Sequence, residues 1–390
     1  MKRRTLLAAL LAVSLLPGAA ATARAEDGLV PVPSAALTAA VKELRAAYGI
    51  PGIQAAVIYA DGRAWSANGG FADLRGRVRP VRSTPFAVGS VTKTFVAALI
   101  LQLVAEGRLT LDDSAAPWVP ELTIPGAVTI RQLLSHTSGL HDYFSNSAID
   151  RALRSAKRTA WTPERALSYA RSPYFLPGNG WAYSNTNYLL LGLIAERATG
   201  LPLATLLRDR FLEPLRLSSV VLQGAEAPRL PVAHAYTFAS TLRSAPAVDQ
   251  VDGSGIVPFT SVTTAAWAAG AMAASAWDLA RWARALFGGE VLPTELVAAM
   301  QDASSATGGV TSVYGLGVRR DRLGGFAAVG HSGRLVGTWA SMRYFPELGI
   351  AIAVTTNQWR WSPDRIVGKL VGIAASAAAP PPSPLGRTGP

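Results

Sequence analysis

The first sign of chemistry in this 390-residue chain is the tetrapeptide Ser90-Val91-Thr92-Lys93. A hydroxyl and an amine three positions apart on a helix meet on one face. Ser90 follows a glycine and opens a long apolar run over 91–105, so the pattern predicts a helix with Ser90 at its N-terminus. The run is apolar on almost every side, which carries Lys93 into the interior. A desolvated amine without full charge compensation loses proton affinity and can act as a base toward the neighbouring hydroxyl. The helix N-terminus adds free N–H groups and positive potential, which favour an oxyanion beside Ser90. The same residues also fit a serine cap with a solvated lysine, and Ser-x-x-Lys alone does not separate the two.

Two further stretches supply context. Residues 177–188 form a turn-rich loop running into an apolar helix, which sets Tyr183 and Asn185 at the mouth of that helix. Either their tips reach a cleft, or Asn185 caps the helix and Tyr183 packs. Gly330-His331-Ser332-Gly333-Arg334 follows a strand expected over 326–329. A small Ser332-Gly333 pair on an edge strand would let a peptide-like ligand pair with the backbone, with His331 facing it; an ordinary surface histidine is the alternative.

Composition removes other chemistries. With no cysteine there is no thiol nucleophile, disulfide frame or cysteine-held zinc. No serine sits in Gly-x-Ser-x-Gly. His136 and His141 lack the partners of a zinc site, and Gly253-Ser254-Gly255 lacks the lysine of a phosphate loop, so no metal and no cofactor is expected. The formal charge is +12, but only five basic residues are lysine and the arginines are scattered. Nucleic acid is therefore not an expected partner, while weak attraction to an anionic cell wall stays open.

These groups need a scaffold, and a chain that is 49% hydrophobic and 16% charged can bury a large core. Residues 34–48 read as an amphipathic helix closed by Gly49, and 53–60 with 63–68 as strands joined at the hairpin signal Asp61-Gly62. Helical lengths dominate the middle, at 91–106, 188–199, 203–211 and 276–287. Strand character returns at 314–319, 326–329, 338–345 and 350–356, and a last helix follows Ser362-Pro363. The expected fold is α/β in the α+β arrangement: an antiparallel sheet flanked by the N- and C-terminal helices, with an inserted mainly helical domain. Expected boundaries are 26–85 with 305–378 for the sheet-and-helix domain, 86–304 for the helical one, and 379–390 for a proline-rich tail. Lys2-Arg3-Arg4, the apolar stretch 6–16 and Ala23-Arg24-Ala25 read as a signal peptide over 1–25, of the Sec or twin-arginine kind, leading to a secreted protein with no stable membrane anchor.

In this order, Ser90-Val91-Thr92-Lys93, Tyr183-Ser184-Asn185 and His331-Ser332-Gly333 resemble the three motifs of the serine β-lactamase and penicillin-binding superfamily. Stretches 133–140 and 183–192 look like its class C β-lactamase branch, which includes D-alanyl-D-alanine carboxypeptidases and esterases; the likeness covers roughly 33–370. The resemblance implies a metal-free acyl-enzyme mechanism. Ser90 would attack a carbonyl, Lys93 and Tyr183 would move its proton to the leaving amine, and water would release the acid. It also implies an oxyanion hole from the N–H groups of Ser90 and Arg334, and Asn185 bonded to the substrate's amide side. His331 stands where most β-lactamases have lysine, which resembles the secreted carboxypeptidases. These must bind a terminal carboxylate, for which Arg319, Arg320 and Arg334 are candidates. Trp267 and Trp181 are candidate cleft walls or core residues. The expected activity is a D-alanyl-D-alanine carboxypeptidase, a monomer acting on small peptides or peptidoglycan stem peptides and acylated by β-lactam inhibitors. The alternatives are an esterase, a D-aminopeptidase or amidase, a weak β-lactamase, or an inactive penicillin-recognising or wall-binding protein.

Overall fold

The computed structural model describes residues 30–242, 244–302 and 313–378; the expected signal segment and proline-rich tail lie outside the described residues. Helix α1 (Ser34–Tyr48) buries Leu37, Ala40 and Val41, the stripe of an amphipathic helix, and ends at Gly49, whose φ of 58° is a left-handed cap. The strands β1 (Gly52–Ile58) and β2 (Ala64–Gly70) form the expected hairpin, paired from Gly52↔Gly70 to Ile58↔Ala64. Every residue of β1 is buried, because both faces of the sheet are covered.

The central stretch holds helices α2 (Thr92–Ala105), α3 (Ser147–Ser155), α4 (Asn185–Thr199), α5 (Thr260–Gly270) and α6 (Ala276–Phe287). The late strands are β3 (Val313–Tyr314), β4 (Arg319–Leu323), β5 (Phe326–Leu335), β6 (Thr338–Phe345) and β7 (Ile350–Thr356), followed by α7 (Asp364–Ala374). They join the hairpin in one antiparallel seven-stranded sheet of order β2-β1-β7-β6-β5-β4-β3, so the first and last strands among the described residues are neighbours. Alternation sorts the side chains: Ile53, Val57, Ile352 and Val354 face α1 and α7, while Ala56, Ile58, Met342 and Ala353 join the large core of the helical side. The helix α6 lies against β1, β6 and β7, so this core runs continuously from the sheet into the middle of the chain.

Two elements differ from expectation. The strand expected over 314–319 is interrupted at Gly317, which has φ 80° and whose added Cβ would meet Ala97 Cβ at 2.4 Å; the chain leaves the sheet there to touch α2. The strand expected to stop at 329 continues to Leu335, because pairing with β6 carries the weak strand formers Ser332 and Gly333 in register with Ser341 and Ala340. The His331-Ser332-Gly333 motif therefore lies inside a strand. Its other side pairs with β4 only as far as Gly330↔Arg319, which leaves 331–335 as an open edge among the described residues.

Candidate active site

Ser90 lies in the single 3-10 turn Gly89–Val91 that leads into α2, and Lys93 in the first turn of α2, with none of its surface exposed. Lys93 Nζ is 2.9 Å from Ser90 Oγ, 2.8 Å from Asn185 Oδ1 and 2.7 Å from the carbonyl oxygen of Ala269. The last two atoms can only accept, so they take two amine hydrogens. In the neutral amine the remaining direction is the lone pair, and it faces the serine hydroxyl. Burial pushes the Lys93 pKa down to about 7, opposed by the Asp142 carboxylate, which raises it. Near neutral pH a large fraction of this amine is therefore an unprotonated base.

The ring of Tyr183 has its centroid 4.9 Å from Lys93 Nζ, and its hydroxyl is buried without a hydrogen-bond partner. Burial raises its pKa well above the usual phenol range; the Ser90 hydroxyl, close but outside hydrogen-bond geometry, lowers it and Asp142 raises it. Behind it His136 packs 4.3 Å from the Tyr183 ring and 4.7 Å from that of Tyr314, and its Nδ1 accepts from the Ser184 N–H. Burial and the Lys93 charge keep His136 neutral.

His331 does not face a ligand as expected. Its ring is buried, with Nδ1 against the carbonyl of Ser332, so that Nδ1 carries the hydrogen and Nε2 accepts from the Tyr314 hydroxyl at 3.0 Å. Burial and the Lys93 charge hold its pKa well below the usual histidine range. It supports the aromatic cluster instead of lining the cavity at Ser90. Asn185 lines the cavity at Ser90, and the protein also engages both ends of its amide: Oδ1 meets Lys93, and Nδ2 donates to Asp142 Oδ1 and Oδ2 at 3.2 and 3.1 Å.

The turn carrying Ser90 interlocks with β5. A Cβ on Gly333 would sit 1.9 Å from the Val88 oxygen and 2.5 Å from the Ser90 nitrogen, and one on Gly89, at φ 51°, 2.7 Å from the Arg334 nitrogen. Only glycines permit this approach, which brings the N–H groups of Ser90 and Arg334 to the same place. Ser332 is partly buried beside them on the open edge.

A cavity of about 250 Å³ opens on Ser90. Ile149 and Leu153 of α3 and Val262 of α5 form apolar walls, and Arg334 and Trp359 stand at one side. The exposed guanidinium of Arg334 lies 5.5 Å from the ring centroid of Trp339 and 5.6 Å from that of Trp359, and makes no ion pair among the described residues. The charge of Arg319 acts on Tyr183, His136 and His331, but the residue is not on the cavity wall. Arg320 bonds the Gln301 carbonyl elsewhere on the surface. Trp267 does not wall the cleft either: its ring fills the space that a side chain on Gly192 of α4 would need. Its backbone matters more, for α5 breaks there (φ 30°, ψ −117°) two residues before the carbonyl that receives Lys93. Trp181 stands edge-on to His136, away from the cavity.

Asp142 and the Ala269 carbonyl were not anticipated. Asp142 reads as an ordinary turn residue, and indeed caps the turn Tyr143–Ser145 through Phe144 N–H; a backbone carbonyl leaves no trace in residue types at all. Among the described residues Asp73, His234 and Asp249 form the one cluster able to hold a metal, with His234 Nδ1 2.7 Å from Asp249 Oδ2 and 3.7 Å from Asp73 Oδ1. The Asp249 hydrogen bond raises the pKa of His234, as expected of an ion pair, and none of the three lines the cavity at Ser90.

Comparison with known proteins gives the family and the fold. Residues 37–375 match the family model described as Beta-lactamase. The chain is 38% identical over 168 residues to the esterase EstB of Burkholderia gladioli, covering 40% of this chain and 43% of that protein. It is 26% identical over 278 residues to a D-aminopeptidase of Brucella anthropi, covering 70% and 50%. The chain thus spans half or less of the length of these curated relatives. A solved D-stereospecific amidohydrolase from Streptomyces sp. superposes with a TM-score of 0.73 at 30% identity, covering 86% of this chain and 97% of that one.

Proposed function

The chain belongs to the Beta-lactamase family of serine hydrolases, and from that premise we propose that it cleaves amide bonds of D-amino-acid peptides and amides through an acyl-enzyme on Ser90. The observation that carries this reading is the apolar cavity opening on Ser90, which accommodates a hydrophobic side chain on the acyl half of the substrate. Lys93 takes the Ser90 proton along the 2.9 Å contact as Oγ attacks the carbonyl. The N–H groups of Ser90 and Arg334 hold the oxyanion. Tyr183, kept as a phenol by burial, delivers a proton to the leaving nitrogen and is refilled from the Lys93 ammonium; water then attacks the ester and restores the serine. The relatives named for D-amino acids support the stereochemistry.

One feature favours a second reading. The Arg334 guanidinium beside the cavity, without an ion pair among the described residues, suits a free carboxylate on the leaving residue, as in a D-alanyl-D-alanine carboxypeptidase working outside the cytoplasm. Turnover of D-phenylalanine amide, L-phenylalanine amide, a D-Ala-D-Ala peptide and a short nitrophenyl ester tests both. The proposal expects D over L, abolition by Ser90→Ala, and a single benzylpenicillin adduct on Ser90 by mass spectrometry. Preference for the D-Ala-D-Ala peptide, lost selectively in Arg334→Ala, would establish the second reading; no product and no adduct would end both.

A further inference from the structure

We propose that Asp142 is a positioning residue of this site: it takes the amide hydrogens of Asn185, which turns the Asn185 oxygen to Lys93 and so aims the lysine lone pair at Ser90. The inference rests on the serine-hydrolase reading above. Asp142 Oδ1 accepts from the backbone N–H of Asn185 at 3.1 Å, and both carboxylate oxygens accept from its side-chain nitrogen. An amide fits its site almost equally well in either of two orientations. A carboxylate, which accepts only, selects one of them. With the amide reversed, Lys93 would face a donor on that side, and the neutral amine would spend its lone pair there instead of on the serine.

The carboxylate is held firmly in this role. Phe144 N–H donates to Oδ1 at 3.2 Å. Thr186, next to Asn185, donates its hydroxyl to the His141 carbonyl at 2.6 Å and accepts from Tyr143 N–H at 3.2 Å, which ties the segment around Asp142 to the first turn of α4. The other titratable groups around Lys93 carry no negative charge near neutral pH: His136 and His331 are kept neutral by burial, Tyr183, Tyr188 and Tyr314 remain phenols, and Arg319 is a cation. Asp142 is the carboxylate whose field acts on the amine.

Two effects should therefore separate in Asp142→Asn. Loss of the charge moves the acid limb of the pH profile down by about one unit, and loss of the selection lowers the plateau about tenfold. The probe is the rate of Ser90 acylation by p-nitrophenyl butyrate from about pH 5 to about pH 9, with the adduct counted by intact mass. At about pH 6 the variant should retain roughly five times the fraction of its own plateau that the parent retains. Asp142→Glu, which keeps the charge, should leave the limb in place. An unmoved limb in a folded Asp142→Asn protein would overturn the inference, because a merely structural aspartate lowers the rate equally at every pH. If that variant does not fold, Asp142→Ser, a neutral acceptor of smaller size, carries the same test. A parent that is not acylated at any pH would overturn the hydrolase reading itself, whereas an acylated parent with an unmoved variant limb overturns only the role of Asp142.

Discussion

Lys93→Met removes the amine while keeping the length of the side chain, and its effect on stability can be worked from the structure. The folded-state pKa is about 7 against an ordinary 10.5. At about 1.4 kcal/mol per unit, holding this group in its buried site costs about 5 kcal/mol whenever the unfolded chain would be protonated and the solution is acidic enough. Because the folded value is depressed, the unfolded chain binds the extra proton between pH 7 and 10.5. The cost is present in full below about pH 7 and is relieved as pH rises toward 10.5, so the parent gains stability with pH in that window. Methionine carries no such cost, but it leaves the Asn185 and Ala269 oxygens without a donor, at about 1–3 kcal/mol each. Near pH 7 the variant should thus range from about 1 kcal/mol less stable than the parent to about 3 kcal/mol more stable, and it should form no acyl-enzyme. The sharper quantity is the slope: from about pH 7 to about pH 9 the parent should gain about 2 kcal/mol relative to Lys93→Met in urea unfolding. The buried tyrosines titrate at higher pH and are common to both proteins. Parallel stability curves across that range would mean a hydrated amine and would refute the account of the base.

Two further substitutions probe the same site. Tyr183→Phe removes a buried hydroxyl that has no partner, so thermal stability should hold or rise, while acylation from amide substrates falls by about 10²–10⁴; a matching loss in melting temperature would show the hydroxyl to be structural. Gly333→Ala places a methyl 1.9 Å from the Val88 oxygen, which should cost about 1–3 kcal/mol and separate the Ser90 and Arg334 N–H groups, slowing acylation about 100-fold or more. Wild-type acylation by that variant would disprove the interlock.

The scaffold was legible because local signals and burial agree along most of it. The Asp61-Gly62 turn, the amphipathic stripe of Leu37 and Val41, and the all-round apolar character of α2 each name their element without help from the rest of the chain. The end of β5 was not legible, since Ser332 and Gly333 are poor strand formers held in the strand only by Ser341 and Ala340 across the hairpin to β6. At the site, the contact of Ser90 with Lys93 was legible because three-residue spacing at the start of a helix brings them together, whereas the approach of the Tyr183 ring to Lys93 is set by the packing of distant segments. The direction of His331 and the choice between cleft and core for Trp267 were not legible because side-chain direction depends on packing: Tyr314 claims the first, and Gly192 makes room for the second. Asp142 and the Ala269 carbonyl act through orientation and backbone, which residue type does not encode.

The pairing of β1 with β7 has a kinetic consequence. Gly52 donates its N–H to Asn357, 305 residues further along, and the ladder between β1 and β7, the one that joins the hairpin to the late strands, is closed by such distant contacts. Loop-closure entropy must be met before any of them is rewarded, so high contact order should make assembly slow, with the locally connected helices forming ahead of it. Until the last strand arrives, the apolar edge of β1 stays uncovered, which makes a chain truncated before residue 350 a strong candidate for aggregation.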